Sequence, residues 1–222
     1  MGTMVEPTVV APDDEQSHGF LEALKKHQTL LTRGAIALVV VAVGAWFYLE
    51  SGRRKEFAAA EALDRARSAM ESGNIPVASA EFQKVAASYS GTEAGYQATL
   101  ALDEARLLQG QTQIAVDDLR AFIGRNPPAT HAASAQSLLG TALENQAKFD
   151  EAAQAYGQAA ELAPEPYRKV DAHLGRARAL RLAGKSEEAV TALRAVVSTH
   201  PEDVPGVSEA KVRLAELTKG AM

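Results

Sequence analysis

A chain of 222 residues with 44 Ala and only 12 aromatic residues is biased towards helix, because Ala is the best helix former and a poor strand former, so an all-β fold is excluded. The absence of Cys excludes disulfide frameworks, thiolate zinc sites and thiol nucleophiles. A net charge of −5, from 28 acidic and 23 basic residues, argues against nucleic acid as a partner.

Residues 1–16 contain Pro7, Pro12 and the polar cluster Asp13-Asp14-Glu15, a composition expected to stay disordered. Over 17–33, Ser17 offers an N-cap, and Phe20, Leu21, Leu24 and Leu31 fall near one helical face. Three readings stand side by side for this segment: an interfacial amphipathic helix, a contact for a membrane partner, or the first turns of a spanning helix.

Residues 34–50 are expected to form a transmembrane helix. Gly34 to Leu49 runs GAIALVVVAVGAWFYL without a charge, about 24 Å of helix. Leu30 to Arg33 extend it to about 30 Å, the depth of a hydrocarbon core, if the Arg33 side chain reaches up to the interface. Trp46, Phe47 and Tyr48 stand at the far end, where an aromatic belt belongs. The small residues Gly34, Ala35, Ala42, Gly44 and Ala45 suit close helix packing. Ala42-Val43-Gly44 resembles a signal-peptide cleavage site, but the 33 residues before the apolar run carry five acidic side chains, which favours an uncleaved anchor. Lys25, Lys26 and Arg33 flank one side, and Arg53, Arg54, Lys55, Arg65 and Arg67 the other. Charge alone leans towards a cytoplasmic C-terminal domain without settling the orientation.

Beyond the span, residues 51–202 repeat with a period of 37. Gly73, Gly110, Ala147 and Gly184 share one register. Ala78, Ala115, Ala152 and Ala189 follow, then Phe82, Leu119, Tyr156 and Leu193, then Val85, Phe122, Ala159 and Val196. Small residues recur at Ala98, Ala135 and Ala172 and at Ser68, Ala105, Ala142 and Ala179. Pro127, Pro164 and Pro201 close three repeats, with Ser90 in the corresponding place of the first. Each repeat reads as two antiparallel helices joined at the Gly, held close by Ala and ended by Pro. One pair cannot bury its own face, so four are expected to stack. Residues 203–222, with Val212, Leu214 and Leu217 among charges, are expected to form a capping helix and tail.

In the third repeat Leu139-Gly140, Leu143, Phe149, Ala152, Tyr156, Ala159 and Pro164 resemble the tetratricopeptide pattern almost position for position. The fourth keeps Ala177, Leu180, Gly184, Ala189, Leu193 and Pro201. The second departs from it with Asp103 and Arg106, where small and large apolar residues are usual. The resemblance implies an all-α protein: one transmembrane helix, a tetratricopeptide-like α-solenoid of four helix pairs, and the C-terminal cap. The layout of acidic tail, single span, basic exit and repeats also resembles the ancillary subunit family of the bacterial Sec translocon. The repeats are similar to those of periplasmic cell-division coordinators. The translocon resemblance implies a bacterial inner-membrane protein with a cytoplasmic N-terminus and periplasmic repeats.

His18, His27, His131, His173 and His200 show no metal-binding spacing, and no phosphate-binding or nucleophile motif is present. The expectation is no enzyme, no cofactor and no metal. In tetratricopeptide proteins the first helix of each pair lines the concave wall. The matching positions here are Ala60, Leu63 and Arg67, then Gln97, Leu100, Glu104 and Leu107. Ser134, Ser137, Thr141, Glu144 and Asn145 come next, then Asp171, Leu174, Arg178 and Arg181. Arg168, Lys169, Arg176, Arg178, Arg181, Lys185 and Arg194 make the fourth repeat basic, which suits an acidic partner or headgroup as well as it suits ordinary surface charge. The expected role is a non-catalytic membrane-anchored scaffold that binds protein partners, either a membrane complex or exported chains. The rival reading is a permanent structural subunit of a large membrane complex, for example respiratory or photosynthetic.

Overall fold

The computed structural model describes residues 28–218, so the expected disordered tail 1–16 and most of the 17–33 segment lie outside the described residues. Among the described residues the secondary structure is all helical. The helices are α1 (Gln28–Glu71), α2 (Ile75–Ser88), α3 (Glu93–Leu108), α4 (Thr112–Ile123), α5 (Ala129–Asn145), α6 (Phe149–Leu162), α7 (Pro166–Leu182), α8 (Ser186–Thr199) and α9 (Val207–Thr218). The chain divides into two compact units at Arg54 and Lys55, inside α1.

In the first unit, α1 holds an 18-residue window of mean hydropathy 1.8, none of it buried. By length and composition this helix can cross a membrane. Arg33, Gly34 and Gly44 are exposed, as are Trp46, Phe47 and Tyr48. Arg54 donates to Glu50 one turn back at 3.0 Å.

In the second unit, Ala59, Ala62, Leu63 and Ala66 of α1 share one apolar cluster with α2 and α3, while α3 pairs with α4, α5 with α6 and α7 with α8, and α9 packs on α8. The turns within the pairs follow one plan. Gly73, Gly110, Ala147 and Gly184 all adopt left-handed backbone, with φ of 77°, 74°, 57° and 80°. The residue after each returns an N–H to the carbonyl five positions back: Asn74 to Ala69, Gln111 to Arg106, Lys148 to Leu143 and Lys185 to Leu180. These are Schellman motifs, which satisfy orphan carbonyls at a helix end. Thr92 and Asn74 cap the following helices by accepting from the backbone N–H of Gly95 and Val77.

The register residues build the core. Ala78, Ala115, Ala152 and Ala189 are fully buried, and Phe82, Leu119, Tyr156 and Leu193 lie over them at 4% exposure or less. Ala98, Ala105, Ala135, Ala142, Ala172 and Ala179 are also buried. Ser68 is exposed, so the first pair does not use that position as a helix contact. Tyr156 is wedged between two helices. A Cβ on Gly140 or on Gly175 would come within 2.8 Å of its ring, so α5 and α7 approach it only through glycine.

The second repeat departs from apolar packing. Asp103, fully buried, stands in register with Ala66, Gly140 and Ala177. Its carboxylate accepts from Arg106 at 2.7 Å, and Arg106 also reaches Asp118 on α4. Burial pushes the Asp103 carboxyl up to about 6, against the opposing pull of Arg106. One large apolar cluster runs from Val116 to Ala210, and a second from Ala59 to Leu102. In α9, Val207 and Ala210 are fully buried, with Leu214 and Leu217 packed against the core.

Candidate functional site: the concave groove

The 37-residue period converts into rows across the inner wall, because equivalent positions of successive first helices stand side by side. One row is Gln97, Ser134 and Asp171; another is Leu100, Ser137 and Leu174; a third is Arg67, Glu104, Thr141 and Arg178. All of these line one open groove of about 1120 Å³. The first helices α1, α3, α5 and α7 provide most of the wall, and Phe82, Tyr156 and Ala159 reach it from second helices.

Six of the sequence-selected positions lie outside the groove lining: exposed Ala60, then Leu63, Leu107, Glu144, Asn145 and Arg181. Leu107 is half-buried against the apolar core, and Glu144 is half-buried and tied to Arg178. Asn145 and Arg181 are exposed at the ends of α5 and α7. Leu63, also selected on register, is 3% exposed and belongs to the core. The groove adds residues that the register reading passed over. Glu93, Thr130 and Tyr167 form a further row one helical turn before Gln97, Ser134 and Asp171. The i, i+4 rule carries that row on the same face, so helical periodicity contained the signal. His131, Arg168 and Tyr156 also line the groove.

Two polar networks shape the wall. At one, buried His131 meets Glu93 through Nε2 at 2.9 Å, and its ring lies 5.0 Å from that of Tyr96. The hydrogen bond from His131, helped by Gln97, holds the Glu93 carboxyl below its usual range. At the other, Arg178 grips Glu144 with two nitrogens, Nε at 3.1 Å and Nη2 at 3.0 Å. Arg178 also donates to the Tyr156 hydroxyl at 3.0 Å, and that oxygen pairs with Thr141 Oγ1 at 3.0 Å. Burial of the phenol raises the Tyr156 pKa. Burial works against the Arg178 charge, but its bonds to Glu144 and Tyr156 outweigh that and raise its pKa. Both networks join consecutive repeats, so they brace the curvature of the wall.

The fourth-repeat cations are partly neutralised in place: Arg168 pairs with Glu165, Arg178 with Glu144 and Lys185 with Asp150. Among the described residues no group of three or more His, Asp or Glu converges as a metal site. The wall therefore offers hydrogen bonds, apolar contact and charge to a ligand held along it.

The tetratricopeptide repeat-like domain family matches residues 49–170, and a tetratricopeptide repeat family matches residues 137–204. No curated protein matches the sequence. Among solved structures, the nearly identical TPR-like repeats of a Podosopora anserina kinesin light chain share 21% identity at a TM-score of 0.59, covering 72% of this chain and 85% of that one. MamA shares 19% at a TM-score of 0.56, over 70% of this chain and 84% of its own. A tetratricopeptide repeat protein from Parabacteroides merdae shares 12% at 0.55, over 73% and 60%. At these identities the likeness is one of fold. The left-handed turns at a period of 37, the buried Ala and aromatic layers and the match over residues 49–170 agree, and the chain belongs to the tetratricopeptide repeat-like family.

Proposed function

We propose that this chain is a non-catalytic scaffold, anchored in a membrane by residues 34–50, whose concave groove binds a protein partner beside the bilayer. One observation carries the reading: a tetratricopeptide groove and a fully exposed apolar helical segment occur in the same chain. So large a continuous apolar surface is unstable in water and is accommodated by a bilayer. Tethering the groove raises the local concentration of whatever it binds without catalysis. The order of anchor and repeats resembles the translocon ancillary subunit family. That supports a bacterial inner-membrane location with a cytoplasmic N-terminus, periplasmic repeats over 51–202, and exported chains as partners. Residues 203–222 then serve as cap and tail.

A second reading is favoured by one detail. A Cβ added at Gly34 or Gly44 meets nothing within 4 Å, leaving room for another helix to pack closely, as in a permanent subunit of a membrane complex. Native purification with crosslinking and mass spectrometry separates the two. Broad substoichiometric capture of exported chains supports the scaffold. Constant stoichiometric recovery with one complex supports the structural subunit. For topology, a reporter active only in the cytoplasm, fused after Met222, is expected to stay silent; activity would overturn the periplasmic assignment.

A further inference from the structure

The charges lining the groove are not equally available. Its three arginines are all engaged by the protein itself: Arg67 donates to Gln97 at 2.7 Å, Arg168 to Ser134 at 2.9 Å, and Arg178 to Glu144 and Tyr156. All three in addition form ion pairs, Arg67 with Asp64, Arg168 with Glu165 and Arg178 with Glu144. Five carboxylates line the same groove: Glu71, Glu93, Glu104, Asp171 and Glu209. Glu93 is occupied by His131 and Gln97, and Glu209 by Arg213. Glu71, Glu104 and Asp171 are exposed and, among the described residues, make no side-chain hydrogen bond or ion pair. They are spread along the wall, on α1, α3 and α7, rather than gathered at a point. Between them lie the half-buried Leu100, Leu138 and Leu174 and the hydroxyl of Ser137.

We infer that the groove's partner is an extended, cationic protein segment in which Lys or Arg side chains alternate with apolar ones. This rests on the scaffold reading above and names the chemistry of its partner. Unsatisfied carboxylates over a concave, low-dielectric wall attract and steer cations. The arginines present less positive charge to an anionic ligand, because Asp64, Glu165 and Glu144 already pair with Arg67, Arg168 and Arg178. Apolar side chains of the segment meet the leucines, and its backbone can hydrogen-bond the hydroxyls of the middle repeat. The positive character of the fourth repeat in the sequence points the other way, towards an acidic partner. Pairing within the fold removes much of that charge from the groove.

The test uses the full chain and two labelled, Pro-containing extended peptides with the same apolar residues, one carrying Lys and the other Glu. Fluorescence anisotropy is expected to show binding of the Lys peptide that weakens as salt rises, and little binding of the Glu peptide. Glu104→Lys with Asp171→Lys is expected to lower Lys-peptide affinity by about tenfold and to improve Glu-peptide binding. The neutral isosteres Glu104→Gln and Asp171→Asn give a smaller loss in the same direction. Glu161→Lys, exposed on α6 outside the groove, is expected to change neither. Equal or stronger binding of the Glu peptide overturns the cationic assignment and leaves the groove as a binding site. A Lys-peptide affinity as sensitive to Glu161→Lys as to the groove substitutions also overturns it. Failure of both peptides to bind, with binding of natural partners unaffected by groove substitutions, overturns the scaffold reading of the groove itself.

Discussion

Ala147 is the one of the four turn residues that carries a Cβ at positive φ, at 57°. A left-handed L-residue costs about 1 kcal/mol or more, which the turn accepts because its Schellman bonds remain intact. Gly184→Ala is therefore expected to lower stability by about 1 kcal/mol, whereas Ala147→Gly is neutral or stabilising by up to about 1 kcal/mol in urea unfolding. A loss on Ala147→Gly would show that the turn is not strained. Gly175 carries a different constraint, space rather than angle. Gly175→Ala gains helix propensity but drives a methyl into the Tyr156 ring, so a net loss of about 1–2 kcal/mol is expected. In a Tyr156→Leu background the same substitution should become neutral or favourable, and persistence of the full loss there would refute the steric account. Asp103 is a residue-scale case with a pH signature. Its folded pKa, raised to about 6 from 3.8, means that the native state holds the proton more tightly than the unfolded chain. Stability from this group is complete below pH of about 4 and is lost as pH rises through 6, by about 3 kcal/mol. Asp103→Asn should flatten that part of the stability–pH curve, and an unchanged slope would exclude Asp103 as its source.

At the scale of elements, helix pairing was legible in the sequence because it depends on short-range features repeated at a fixed interval. Gly or Ala at the turn, Ala at the crossing and an aromatic or Leu above it each report one local requirement, and all recur at 37. The groove was legible only in part. Register shows which positions belong to first helices, but not which of them the neighbouring second helix buries. Leu63 thus reads as wall and lies in the core, and Leu107 is half-buried against it, while Glu93 and Tyr167 sit one turn earlier on the groove face. Pairing was not legible at all: Glu93 with His131 spans 38 positions and Arg178 with Glu144 spans 34, distances along the chain that only the stacked repeats close. For α9 the capping role follows from burial, since fully buried Val207 and Ala210 cover the last pair. Val207→Asp places a carboxylate there without a partner and should cost about 3 kcal/mol or more, measured by thermal unfolding. The exposed Val212→Asp, at 58% exposure, should change stability by less than about 0.5 kcal/mol. Equal effects would argue against α9 as a cap.

At the scale of the whole repeat unit, the polar triad around buried Asp103 and the division of the core belong to the same structural fact. Asp103, Arg106 and Asp118 occupy positions that the third and fourth repeats fill with small or large apolar residues: Gly140 and Ala177, Leu143 and Leu180, Ala155 and Ala192. The buried members of one apolar cluster, Ala59 to Leu102, precede this layer in the chain and those of another, Val116 to Ala210, follow it, with half-buried Tyr96, Leu100 and Leu107 of α3 reaching the second. Repeat proteins fold as nearest-neighbour arrays, so a weak interface lets one part open while the rest stays folded. Amides of α2 are thus expected to exchange with deuterium faster than those of α5 to α7. Restoring the apolar layer with Asp103→Ala, Arg106→Leu and Asp118→Ala together should stabilise the unit by about 1–4 kcal/mol and narrow that gap, because well-packed apolar groups often outperform a buried ion network. Arg106→Leu alone should do the opposite, losing about 3–5 kcal/mol, since it strands a buried Asp103 whose second oxygen already lacks a partner. The reversal of sign between single and triple variants is the signature of a coupled layer. Uniform exchange protection across both clusters in the unaltered chain would show instead that the triad binds them into one cooperative unit.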